Sequence, residues 1–444
     1  MKGDDAERAK RRFSVSRSDQ RNEFARDRDR LLYSSAFHRL AGITQIVRAG
    51  ELDIFHTRQQ HTYKVAQIGR RLAEHCVHQA RQLGQPLAVD PEVVEAACLA
   101  HDLGHPPFGH AAEKELDRLV QGLHVDGSPN LDVFDTDGFE GNAQTFRILT
   151  KLAIRYDPEQ CHGLDLTRAT LQAVLKYPWL RDHESEKKRD KWSAYRSEKD
   201  DFDWAREFAT PDQKSDEANL MDWADDIAYS VHDLEDFHRV GVIPWGAIQS
   251  PKQRDAIVNG AVKAWFDAPS DAAARMRASL DRINDTASVF PAVIGQTYDG
   301  SRAQRHQLRN LTSIWIGRYV KSVKVASVAG GLAVSIDEEA GDDVRLLKYF
   351  ARHYVIGLPA LSAQQFGQRR IVRELFTIFL DEGRRGSLKL MPPRMRYIWD
   401  DHSADKPARL AADCVACLTE NEAHQLHRRL TGVESGSILD PIVR

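Results

Sequence analysis

The chain has 444 residues, 42% of them hydrophobic and 29% charged, with a formal net charge of −3 at pH 7. That length suits about two or three domains or one large helical body, and near-neutrality excludes a partner selected by global charge. Five scattered cysteines make no disulfide framework, and no apolar run has the form of a signal peptide or membrane span, so a cytoplasmic protein with no membrane partner is expected.

Residues 1–20 are polar and basic, with Lys10-Arg11-Arg12, and read as a flexible arm. Residues 21–47 have helical spacing, with Leu31, Ser35, Ala36 and Leu40 as the inner face. A long helix is expected from Arg58 to about Leu83. In it His61, Val65, Ile68 and Leu72 share the apolar side, so His61 is either a core histidine or a ligand.

The chain is organised around 98–110, Cys-Leu-Ala-His101-Asp102-Leu-Gly104-His105-Pro-Pro-Phe-Gly-His110. A helix starting at Pro91 should end at His101-Asp102, stopped by Gly104 and the two prolines. Adjacent imidazole and carboxylate groups at a helix end suit a divalent ion. One His-Asp pair is weak evidence, since the dipeptide recurs at His232-Asp233. The next helix, 109–120, carries Glu113 one turn after His110.

A Gly-, Asp- and Pro-rich loop covers 121–137, and helices are expected over 138–150 and 166–177, the latter closing on Lys176-Tyr177-Pro178-Trp179. Residues 180–216 mix charges with aromatics and read as a lid-like excursion over the core. Alternating basic and aromatic residues suit the binding of nucleotide bases, but the acidic residues among them favour a solvated lid. In the 217–238 helix Leu220, Trp223, Ile227, Val231 and Leu234 form an apolar stripe, while Asp225, Tyr229 and Asp233 stack on another face. Asp222, Asp225 and Asp226 crowd negative charge that a cation would relieve. Beyond Gly241 the pattern is helical, except near 320–337, where Val323, Val325 and Val328, then Leu332, Val334 and Ile336, alternate as a small hairpin. A helix over 405–431 ends the chain. On a continuous helix Cys414 and His427 would stand about 20 Å apart, too far to share one ion.

His61, His101, Asp102 and Asp225 together would make a mixed nitrogen and oxygen shell for Mn, Mg, Fe, Co or Ni with positions left open. The order His…His-Asp…Asp resembles the HD-domain metal phosphohydrolases. Several longer stretches are similar to the deoxynucleoside triphosphate triphosphohydrolases (dGTPase-like) within that superfamily: Arg26-Asp-Arg-Asp-Arg30, Ser35-Ala-Phe-His-Arg39-Leu, Thr44-Gln45, Glu95 through His110, Gly138-Phe-Glu-Gly-Asn142-Ala-Gln-Thr-Phe-Arg147, Leu166-Thr-Arg-Ala-Thr-Leu-Gln172, Lys176-Tyr-Pro-Trp179 and Asp225-Asp-Ile-Ala-Tyr229-Ser-Val-His-Asp233.

The resemblance implies a mostly α-helical fold: an HD core over 21–240 and a helical phosphohydrolase-associated region over 241–444 bearing the hairpin. It implies attack of water at the α-phosphorus of a dNTP, releasing deoxynucleoside and tripolyphosphate. It assigns His61, His101, Asp102 and Asp225 to the metal, and His110 with Glu113 to proton transfer. His105, Arg58, Lys176 and Tyr177 go to the phosphates, Gln45, Tyr229 and Asp233 to the sugar, and Asn142 to the site's edge. The partners implied are a dNTP substrate and further copies of the chain, with a regulatory dNTP and single-stranded DNA as candidates. Two other readings stand beside this one: an HD phosphohydrolase acting on a nucleoside monophosphate or alarmone, and a non-catalytic nucleotide- or DNA-responsive regulator. The chain departs from the family pattern at Lys64, where an acidic residue is usual, at His38, where Arg is usual, and in Trp192-Ser-Ala-Tyr195, which lacks a customary glycine.

Overall fold

The computed structural model describes residues 5–13, 20–44, 56–124, 127–128, 134–155, 163–266, 271–294, 297–328, 331–356 and 359–436. The protein is mostly helical, with one two-stranded antiparallel sheet among the described residues. It forms two compact units that do not follow the linear order of the chain: Met1–Tyr63, Glu92–Met221 and Ala363–Arg444 in the first, Lys64–Pro91 and Asp222–Ser362 in the second. No described helix is long and apolar enough to cross a membrane.

The first unit begins with part of the basic arm, and residues 5–13 are docked. Arg11 is buried, donating to Asp27 and the Asp165 carbonyl at 2.6 Å each and to Glu23 at 2.6 Å. Arg8 reaches Glu217 at 2.7 Å. These carboxylates lie far along the chain, so no local pattern announces them. The 21–47 run is divided in two. Asn22 caps a helix over Glu23–Leu32, and Ser34 caps a second over Ser35–Arg39. The Ser34 hydroxyl accepts from Phe37 N and restarts the register. Phe37 therefore takes the inner place with Leu31 and Leu40, while Ser35 is exposed.

The Pro91–Ala100 helix is apolar nearly all round and buried over most of its length, as a helix enclosed by others should be. The chain then turns through 101–109, with Phe108 and Gly109 at positive φ, and restarts as His110–Val120. Gly104 is required by a close approach, because a Cβ there would lie 2.1 Å from the Gly141 carbonyl oxygen. The Gly141–Arg147 helix that crosses at this point is capped by Glu140. The 166–177 stretch is helical only over Arg168–Ala173, so Lys176 and Tyr177 lie beyond the helix.

The 180–216 segment mixes buried residues with exposed ones, 182–184 and 210–213 among the latter. Trp192 and Tyr195 are fully buried, and so are Glu198 and Ala205. Glu198 pairs with Arg147 at 2.7 Å, and the Arg181 guanidinium lies over the buried Trp192.

Residues 363–444 complete this unit. Phe108, Leu116, Val120 and Phe139 pack in one core with Val372, Phe376, Phe379, Leu410, Val415 and Leu426. Two helices, Pro407–Ala416 and Glu420–Leu430, are separated by a capping box in which Thr419 and Glu422 exchange backbone hydrogen bonds. The continuous helix expected over 405–431 is thereby corrected. Cys414 is buried, and His427 pairs with Glu374 at 2.7 Å. Neither joins any ligand cluster among the described residues.

In the second unit the helices Pro251–Trp265, Ala272–Ser288, Arg302–Lys321 and Glu338–Ala351 bury Ile257, Leu280, Ile283, Leu311, Trp315, Leu347 and Phe350. The hairpin forms where alternation places it, Val323–Val328 against Gly331–Ile336, with Val325 opposite Val334. Gln79 fastens it through both amide atoms, bonding the Val323 carbonyl and Val325 N at 3.0 Å each. Asp343, fully buried, is held between Arg282 at 2.8 Å and Arg318 at 3.0 Å.

Candidate active site

His61 lies on the first turn of the Arg58–Gln82 helix and is buried. Its ring centroid is 5.7 Å from that of His101, which stands where the 91–100 helix gives way to the turn. His101 Nδ1 is 2.6 Å from the Cys98 carbonyl oxygen. Such a bond puts the proton on Nδ1 and leaves the Nε2 lone pair for a Lewis acid, the usual support of a metal-bound histidine. The Asp216–Arg239 helix starts in the first unit and continues unbroken past Met221, bringing Asp225 one turn later. His61 and His101 lie in the first unit, and Asp225 lies on the part of that helix assigned to the second.

Asp102 follows His101 directly, its Oδ2 being 3.4 Å from His101 Nε2. Arg58 Nη1 donates to the same oxygen at 2.7 Å, and His105 Nδ1 lies 3.0 Å from Oδ1. Burial alone would raise the Asp102 carboxyl, but Arg58, His101 and His105 outweigh it and hold it well below the usual range. His105 moves the other way: burial, then the charge of Arg58, push it down to about 4, against the pull of Asp102. Two imidazoles and two carboxylates of this kind fit a divalent ion with open positions better than a closed structural zinc site.

His110 opens the next helix and is largely exposed, with 73% of its side chain accessible. Its Nδ1 is 2.8 Å from Glu113 Oε2, and its ring centroid is 5.5 Å from that of His105. Glu113 itself is buried. A carboxylate behind one ring nitrogen and an accessible second nitrogen make a unit that can hand a proton outward.

The turn that displays these groups is braced from several sides. Arg39 donates to the Leu103 and His105 carbonyls at 2.7 and 2.8 Å. Glu420, buried at the start of the 420–430 helix, accepts from Phe108 N at 3.2 Å and from Thr44 N at 2.9 Å. Thr145 Oγ1 receives Gly104 N at 2.9 Å.

The remaining expected site residues are placed as follows. Asn142 Nδ2 donates to Glu140 at 2.9 Å at the start of the 141–147 helix. Lys176 and Tyr177 are half-buried, and Tyr177 N donates to Ser193 Oγ at 2.9 Å. Tyr229 and Asp233 follow Asp225 at four-residue steps, Asp233 being buried. Gln45 lies outside the described residues. Lys64 is sheltered too: burial pushes its ammonium down, against the charges of Asp236, Glu235 and Asp233.

Sequence reasoning missed Lys191, Glu140 and Glu420. Lys191 stands in a run of charges, Glu186 to Lys191, that offers no spacing to single it out. Glu140 stood within a quoted motif, and its position just before a helix is the one signal that could have marked it.

The HD domain model matches residues 58–230, and the phosphohydrolase-associated domain model matches 334–429. The chain is 36% identical over 429 residues to a deoxyguanosinetriphosphate triphosphohydrolase-like protein of Streptomyces coelicolor, covering 93% of each chain. It is 36% identical over 431 residues to a protein of the same description from Bifidobacterium longum, covering 93% of this chain and 83% of that one. A third, from Shewanella halifaxensis, is 29% identical with 96% of each covered.

Proposed function

Because this chain belongs to the deoxyguanosinetriphosphate triphosphohydrolase-like family of HD-domain phosphohydrolases, we propose that it hydrolyses deoxynucleoside triphosphates to deoxynucleoside and tripolyphosphate. The observation that carries this reading is the His110–Glu113 pair, 2.8 Å apart, on the helix directly after the His101-Asp102 donors. A bare nucleotide-binding module has no need of a proton donor at that place.

His61, His101, Asp102 and Asp225 would hold a divalent ion such as Mn, Mg, Fe, Co or Ni. When bound, it supplies Lewis acidity toward an α-phosphate oxygen. The rest falls to the chain's own groups. Arg58, Lys176 and Tyr177 gather the phosphates, whose total of about four negative charges demands clustered donors. His105, neutral at physiological pH, hydrogen-bonds the phosphates without adding charge. Gln45 and Tyr229 hold the deoxyribose, Asp233 accepts from its 3′-hydroxyl, and Asn142 borders the site. Water forms the new bond to the α-phosphorus as the bond to the 5′-oxygen breaks, and the proton that water sheds passes to solvent. The departing oxygen takes the proton that His110 carries, and Glu113 steadies the imidazolium until that transfer.

Phosphorus NMR of a reaction with dGTP and Mn or Mg tests this directly. Tripolyphosphate together with free deoxynucleoside is the expected result. Pyrophosphate with a monophosphate, or hydrolysis of monophosphates or alarmones only, would overturn it.

A further inference from the structure

We propose that Lys191 is a positioning residue of this site, its ammonium clamping Glu113 behind His110 and tying that pair to Glu140. Lys191 Nζ is 2.9 Å from Glu113 Oε1 and 2.8 Å from Glu140 Oε1. Glu113 uses its other oxygen, Oε2, to hold His110 Nδ1. The result is a chain of alternating charge, His110, Glu113, Lys191, Glu140, drawn from three separate segments. The inference rests on the reading that His110 and Glu113 carry the proton.

Each end of the clamp is anchored. Glu140 accepts from Ala143 N at 3.1 Å and from Asn142 Nδ2 at 2.9 Å, so it is fixed as the cap of the 141–147 helix. Lys191 sits in backbone that cannot drift: its carbonyl accepts Trp179 Nε1 at 2.7 Å, and Trp192 beside it is fully buried. Ser193 N bonds the Trp179 carbonyl at 3.2 Å, while Ser193 Oγ receives Tyr177 N. One stretch of chain thus holds both the Lys176-Tyr177 pair and the ammonium behind the proton donor.

The charged groups around Glu113 are His110 on its own helix, His105 from the preceding turn, Lys191 from the 180–198 segment and, across Lys191, Glu140. Arg58 stands beyond His105. Burial would push Glu113 up, but its bond to His110 and the charges of Lys191, His110 and His105 hold it well below the usual range. Glu140 is raised by burial and by Glu113, although Lys191 opposes the rise. Burial opposes the charge on Lys191, but Glu140 and Glu113 raise its pKa. Two buried carboxylates share a single ammonium. Without that cation, every group in the chain binds protons more tightly.

The His110 imidazole is titrated by NMR in the full-length, Mg-loaded protein, and turnover is followed against pH in parallel. Lys191→Met should raise the His110 midpoint by about one pH unit, roughly a tenfold change in proton affinity, and move the turnover profile to higher pH. Lys191→Arg keeps the charge and should restore both. Glu140→Gln, alone or with Lys191→Met, should lower the midpoint relative to its parent, which keeps the proposal testable if Lys191→Met fails to fold. An unmoved midpoint in Lys191→Met or Glu140→Gln, or equal shifts in the Met and Arg variants, would overturn it. A shifted midpoint in a protein that turns over no dNTP would leave the clamp standing and defeat the triphosphohydrolase reading instead.

Discussion

His110→Gln should lower dNTP turnover by about 10²–10⁴-fold, the range that one positioned proton donor contributes, with little change in KM or in folding. The 5′-oxygen of a deoxynucleoside leaves poorly as an alkoxide, so losing its proton source slows bond breaking and leaves substrate binding alone. The substitution costs little packing, because His110 is largely exposed. Glu113→Gln removes the charge that steadies the imidazolium and should also lose turnover, but by less. Steady-state kinetics with each variant decide the matter. A His110→Gln enzyme within twofold of the parent would remove His110 from the chemistry.

Arg147→Met should be the most damaging change away from the reacting groups. Arg147 is fully buried and meets three carboxylates: Glu198 at 2.7 Å, Asp405 at 2.8 Å and Asp413 at 2.8 Å. Gln144 also donates to Asp413, at 2.8 Å. Burial opposes the charge on Arg147, but Asp413, Glu198 and Asp405 outweigh it and raise its affinity for the proton. Removing the cation leaves buried carboxylates facing one another, which costs about 3–5 kcal/mol and roughly 5 °C in melting temperature for a chain of this length. Adding Asp413→Asn should recover part of the loss, because it removes one of the stranded charges. Thermal unfolding of the single and double variants measures both effects. A melting point unchanged in Arg147→Met would mean that these ion pairs do not hold the 141–147 helix to the 407–416 helix.

Local signals in the chain located most of the fold. Proline at 91, glycine at 104 and the period of the apolar residues placed the helices around the His-Asp turn, and strict alternation placed the hairpin at 323–336. Misreadings came where one side chain competes with a repeating pattern. Ser34 and Thr419 each cap a new helix inside a run whose apolar spacing looks continuous. Ion pairs of the charged segment after Lys176, Glu198 with Arg147 and Arg196 with Asp137, join residues distant in sequence and leave no local signal. The same limit hid Arg11 in its pocket of carboxylates and Lys191 behind Glu113. His61, His101 and Asp225 are legible in the sequence as ligand types, each on or at the end of a helix.

The proposed hydrolysis depends most on a divalent ion held by His61, His101, Asp102 and Asp225. Its most direct test is turnover of dGTP by protein stripped with a chelator, before and after Mn is returned, with bound metal measured in the same samples. Turnover should disappear with the metal and return with about one Mn per chain, and His101→Ala should neither retain the ion nor recover. Full-speed hydrolysis by metal-free protein would contradict the account.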